Sequence, residues 1–115
     1  MTSKLNISGK VIAENKIADT PVYVWVENID ISTVVDTAGN FSIDISNLDS
    51  QDGSFSGSIR VFYYIHNYKV EHSTLYITDG RLSNVQTDFD QNGNLLEVVY
   101  LERLASFDMS FSGDI

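Results

Sequence analysis

The sequence predicts an all-β chain folded as a two-layer sandwich. Three observations carry this expectation. Apolar residues recur with a period of two along most of the chain. Turn signals built on Gly, Asn and Asp punctuate it at short spacing. No segment sustains the 3.6-residue period of an amphipathic helix.

The elements follow in order. Leu5, Ile7, Gly9, Val11 and Ala13 alternate with mostly polar neighbours, the pattern of a half-buried strand. Glu14 to Thr20 interrupts it. Pro21 opens a second strand, where its missing N–H does least harm, with Val22, Val24 and Val26 on one face and Tyr23, Trp25 and Glu27 on the other. Ile29, Ile31 and Val35 suggest a third strand, ended by Asp36-Thr37-Ala38-Gly39-Asn40, where Gly39 and Asn40 tolerate positive φ. Phe41, Ile43 and Ile45 alternate with Ser42 and Asp44. Ser46 to Ser58 has loop composition, with Leu48 as its one anchor to the core.

Ile59, Val61, Tyr63 and Ile65 form the most apolar face of the chain, and Arg60, Phe62, Tyr64 and His66 lie opposite. Asn67 marks a bend before Tyr68 to His72. Leu75 and Ile77 lead into the hairpin signal Asp79-Gly80. Leu82 to Phe89 reads as a weaker strand, Asn92-Gly93 as a second hairpin signal, and Leu95 to Leu101 as the strand it feeds. Phe107, Met109 and Phe111 give a last strand. The expected architecture is therefore an antiparallel sandwich of about seven to nine strands, with no internal repeat at a fixed period.

Composition bounds the rest. A chain of 115 residues suits a single domain, 1–115, able to bury a core without staples, and with no cysteine it must do so. Sixteen acidic residues against seven basic ones give a net charge of −9, which disfavours nucleic acid and anionic membrane surfaces as partners. No apolar run is long enough to span a bilayer, and Met1 to Leu5 lacks the apolar stretch of a signal peptide. Two explanations stay open, a cytoplasmic protein or a domain cut from a longer exported or cell-surface protein; the last expected strand stops close to Ile115, which favours the second, with neighbouring domains or a protein partner implied.

The first half also carries a resemblance. Ile7-Ser8-Gly9-Lys10-Val11, Pro21-Val22-Tyr23-Val24 and Val35-Asp36-Thr37-Ala38-Gly39-Asn40-Phe41-Ser42-Ile43 together resemble the carboxypeptidase regulatory-like family. The Asp and Thr of the third motif are interchanged relative to the family's commoner order. The resemblance covers residues 5–45, and more loosely 59–70. It implies a transthyretin-like (prealbumin-like) topology, with an immunoglobulin-like order as the alternative, and a non-catalytic accessory module. It transfers no active-site residues. Pilin-type sandwiches close Lys–Asn isopeptide bonds, but although Lys10 sits in the first strand, the expected last strand offers no Asn to receive it.

Two constellations merit a chemical reading. Tyr23 and Trp25 share one strand face, and Phe62 and Tyr64 share the minor face of another. If those strands are neighbours, the four rings form a platform on which sugars stack or partner proteins anchor; the alternative is that both faces are covered core. Asp88, Asp90 and Asn92 match the first half of a calcium loop, D-x-D-x-N-G. The closing Glu of such a loop would fall at Val99, and Glu97 comes two residues early, so a helix-flanked site is excluded. What stays open is calcium in a loop closed by another acid, or a plain hairpin turn with solvated carboxylates.

His66 and His72 offer two nitrogen ligands with only Glu71 close in sequence, a poor metal set. No Gly-x-Ser-x-Gly elbow and no phosphate-cradling glycine loop occurs, so no enzyme and no cofactor beyond calcium is expected. The function read from sequence is a structural or protein-interaction module. The alternatives are a carbohydrate-binding module using Tyr23, Trp25, Phe62 and Tyr64, and a calcium-stabilised module using Asp88, Asp90 and Asn92.

Overall fold

A computed structural model describes residues 6–16, 19–45 and 56–104. Among the described residues the regular elements are all strands: β1 (Asn6–Ala13), β2 (Tyr23–Val26), β3 (Ile31–Val34), β4 (Asn40–Asp44), β5 (Gly57–Tyr64), β6 (Glu71–Thr78), β7 (Arg81–Leu82) and β8 (Val99–Leu101). They form a three-stranded sheet, β4-β1-β8, and a five-stranded sheet, β3-β2-β5-β6-β7. The two sheets share one core, as the alternation predicts. The expected strand at Phe107 to Phe111 and the anchor Leu48 lie outside the described residues.

Alternation explains the layers. Ile7, Val11, Phe41 and Ile43 point inward from the small sheet. Val24, Val26, Ile59, Val61, Tyr63, Leu75 and Ile77 point inward from the large one. Phe41 and Tyr63 meet across the interface with ring centroids 5.9 Å apart. Tyr63 also brings a hydroxyl into this apolar layer, and it donates to Ser73 Oγ at 2.9 Å. A buried hydroxyl left unpaired costs about 1–3 kcal/mol, so the two polar groups are tolerable only as a pair.

The pairing departs from the expected pattern in three places. Ladders between neighbouring strands are antiparallel except one: β8 runs parallel to the end of β1, with Val99 opposite Val11 and Leu101 opposite Ala13. Leu82 to Phe89 is not a continuous strand, since only Arg81 and Leu82 pair with β6. Leu95 to Leu101 is a strand only at Val99–Leu101.

For Leu82 to Phe89 the reason lies along the outer edge of β6, where Ser83 N donates the last backbone bond, to the Tyr76 carbonyl at 2.9 Å. Where a ladder would continue, side chains take its place. Asp88 Oδ2 accepts from Thr74 N at 2.8 Å, Gln86 Oε1 accepts from Tyr76 N at 3.0 Å, and Gln86 Nε2 donates to the Tyr76 carbonyl at 2.8 Å. Segment 83–88 thus satisfies the strand edge without becoming a strand.

Turn chemistry fixes the registers. Asp79 and Gly80 both have positive φ (51° and 76°), the two-residue hairpin expected between β6 and β7. Asp36 to Asn40 and Asp90 to Asn94 share the pattern Asp-x-x-Gly-Asn and one geometry. In each, the Asp Oδ1 accepts the N–H groups two and four residues on, and the Gly N–H donates to the Asp carbonyl. Gly39 (φ 93°) and Gly93 (φ 90°) then pass their carbonyls to Val11 N and Ser8 N of β1. Both turns therefore hang on the same strand.

Candidate functional site

Strand register places the four predicted aromatic residues side by side. β2 and β5 are antiparallel neighbours in which Tyr23 faces Tyr64 and Trp25 faces Phe62. All four point away from the core, because the alternate positions Val24, Val26, Val61 and Tyr63 point into it. Trp25 is 40% exposed, Tyr23 42% and Tyr64 46%, while Phe62 is half-buried among its neighbours. The covered-core reading of these rings is thereby corrected: they form the outer face of the five-stranded sheet.

Three transverse rows make up that face. The middle row crosses four strands as Ser32, Trp25, Phe62 and His72. Trp25 and Phe62 stack with centroids 5.5 Å apart and planes at 27°, and Phe62 and His72 follow at 5.6 Å. With strands about 4.8 Å apart, this row is about 14 Å wide. Next to it, toward one end of the strands, lie the exposed Val34, Tyr23 and Tyr64. On the other side lies a charged row, Glu27 and Arg60.

The charged row is self-contained. Arg60 Nε and Nη2 donate to the two carboxylate oxygens of Glu27 at 3.1 and 3.2 Å, and Arg60 N donates to Glu27 Oε2 at 2.8 Å. The hydrogen-bonded guanidinium holds the Glu27 carboxyl below the usual carboxylate range. The Arg60 guanidinium carbon also lies 5.2 Å from the Phe62 centroid, a cation–π arrangement. Trp25 is fixed independently: its Nε1–H donates to Asp30 Oδ1 at 2.8 Å. Asp30 reaches it from the β2–β3 turn, where Asn28 and Asp30 both take positive φ. The polar edge of the indole is thus satisfied within the protein, leaving ring surface as what a ligand meets.

Sequence reasoning found the four rings and set Glu27 and Arg60 on their strand faces, but missed the Glu27–Arg60 pairing and the places of Asp30 and His72 on the same face. Strand parity alone assigns Arg60 to it. His72 is a neighbour only through the pairing of β5 with β6, and no local signal announces that pairing.

Of the predicted calcium ligands, Asp88 and Asp90 each have hydrogen-bond partners within the protein. Asp88 turns to the β6 edge, as above. Asp90 turns inward on its own loop, with Oδ1 bound to Asn92 N and Asn94 N and Oδ2 to Asn94 Nδ2. The Asn94 N–H, foremost among these donors, holds the Asp90 carboxyl below its usual range. Asn92 is exposed on the turn. No group of three or more His, Cys, Asp or Glu suited to a metal occurs among the described residues. His66 and His72 are both exposed, and His72 packs its ring on Phe62. Among the described residues no helix is long and apolar enough to cross a membrane.

The sequence matches no protein-family model, and no curated protein matches it.

Proposed function

We propose that this protein is a non-catalytic interaction module whose contact surface is the outer face of the five-stranded sheet. The observation that carries the reading is the cross-strand pairing of Trp25 with Phe62 and of Tyr23 with Tyr64 on the side away from the core. Exposed aromatic rings held rigidly are what binding surfaces use, because they offer large contact area at small entropic cost. The resemblance to carboxypeptidase regulatory-like modules agrees with an accessory role beside other domains of an exported or surface protein.

A carbohydrate ligand is the second reading, and one feature favours it. Arg60 is neutralised by Glu27 within the face, so the charged row beside the rings carries no net charge. Bases also stack on aromatic rows, but single-stranded nucleic acid needs a basic groove, and a chain of net charge −9 is a poor host for it. A neutral sugar chain has no such conflict.

The test compares wild type with the Tyr23→Ser/Tyr64→Ser double variant and with Lys10→Ser on the opposite sheet. Retention on cellulose, chitin and xylan is measured alongside capture of protein partners. Loss of either activity in the double variant alone supports the reading, and polysaccharide retention selects sugar. Equal binding by the wild type and the double variant would remove the face from the account.

A further inference from the structure

We propose that Asn92 is a latent covalent-modification site, a deamidation position that the folded turn keeps silent. Asn92-Gly93 is the only Asn-Gly step in the chain, and glycine offers least steric hindrance to attack on the preceding side chain. In that reaction the Gly93 nitrogen loses its proton and bonds to Asn92 Cγ. The bond from Cγ to the side-chain amide nitrogen breaks, and ammonia leaves. Water then opens the resulting succinimide, giving an ordinary aspartate if it cleaves one side and isoaspartate if it cleaves the other. Water is the only co-reactant.

The geometry opposes the first step without hiding the residue. Asn92 is exposed, so neither solvent nor space is lacking. The nucleophile, however, is engaged: Gly93 N–H donates to the Asp90 carbonyl at 3.1 Å. On one side of the reacting peptide, Asn92 N donates to Asp90 Oδ1 at 2.8 Å. On the other, the Gly93 carbonyl accepts from Ser8 N at 2.9 Å. Gly93 is buried against β1 so closely that an added Cβ would sit 2.2 Å from the Asn6 carbonyl oxygen. Ring closure needs the Gly93 nitrogen to swing toward Asn92 Cγ, which breaks these bonds together. Modification is therefore coupled to opening of the turn.

The isoaspartate product would be incompatible with the turn. It routes the main chain through the former side chain and adds one carbon to it. The loop is closed by Asp90 N to the Asn94 carbonyl at 2.8 Å, and a longer loop cannot keep that bond while Gly93 stays docked on β1. A single chemical event at the surface would thus loosen the strand on which both Asp-x-x-Gly-Asn turns hang.

The experiment incubates the wild-type chain in mildly alkaline buffer, natively and in urea, and follows residue 92 by peptide mapping with isoaspartate detection. Conversion is expected to be about tenfold or more faster in urea, because the native reaction must wait for local opening. Asp90→Ala, kept native, is expected to fall between the two. Equal native and unfolded rates would overturn the proposal. A second measurement separates the converted protein and compares its thermal midpoint with that of Asn92→Asp, which carries the new charge on an unaltered main chain. A lowered midpoint only in the isoaspartate form supports the coupling. An equal loss in Asn92→Asp, or no loss in either, contradicts it.

Discussion

Trp25 and Asp30 are joined by an indole N–H to carboxylate hydrogen bond of 2.8 Å across the turn from β2 to β3. The bond gives the indole one orientation. Phe62, stacked at 5.5 Å on the neighbouring strand, fixes its other side. A partner meeting this face finds a ring row already ordered, so little side-chain entropy is lost on contact.

The Tyr63–Ser73 pair sets a stability test inside the core. Tyr63→Phe leaves Ser73 Oγ buried without its donor and is expected to cost about 1–2 kcal/mol in urea unfolding. Adding Ser73→Ala removes the orphan, and the double variant should recover part of the loss, a coupling read by a double-mutant cycle.

Burial pushes the Tyr63 hydroxyl well above the ordinary tyrosine value of 10.0. The sign follows from linkage: the unfolded chain releases this proton at lower pH than the folded one. The contribution is fully present below pH 10.0 and is lost as pH rises above it. The alkaline fall in stability should therefore be shallower in Tyr63→Phe. Asp90 acts in the opposite direction. Its depressed carboxyl contributes stability above the usual carboxylate range, lost as pH falls through the folded value. Asp90→Asn, which keeps an acceptor, should flatten the acid side of a midpoint-against-pH curve.

At the β6 edge, Gln86→Ala and Asp88→Ala each uncover a backbone donor, Tyr76 N or Thr74 N. Each is expected to cost about 1–3 kcal/mol. The double variant should also self-associate with rising concentration, seen by light scattering after size exclusion, because an open strand edge templates pairing. A stable, monomeric double variant would mean that segment 83–88 protects nothing.

Much of this architecture was legible. Ile59, Val61, Tyr63 and Ile65 declare one buried face by alternation alone, and Asp79-Gly80 declares its hairpin, because both signals are local. The failures are non-local. Leu82 to Phe89 has strand-like alternation, yet Gln86 and Asp88 use side chains where a ladder would use backbone. The parallel placement of β8 beside β1 depends on contacts distant in sequence. The aromatic face was half legible: parity named its four rings, but their adjacency rests on the β2–β5 register. The two Asp-x-x-Gly-Asn turns share a five-residue pattern, but two short copies far apart in the chain define no period.

Those two turns make a graded prediction. A Cβ at Gly39 would lie 2.8 Å from the Val11 carbonyl oxygen, and one at Gly93 would lie 2.2 Å from that of Asn6, both at φ near +90°. The left-handed backbone alone costs an L-residue roughly 1–2 kcal/mol. Both Gly→Ala variants should lower the thermal midpoint, Gly93→Ala by more.

The central claim is that the Tyr23/Trp25/Phe62/Tyr64 face meets solvent and is free to bind. Trp25 is the only tryptophan, so acrylamide quenching of its fluorescence tests the claim directly. With 40% of the residue exposed, red-shifted emission and ready quenching are predicted. Blue-shifted emission that acrylamide leaves untouched would place Trp25 in a core and contradict the account.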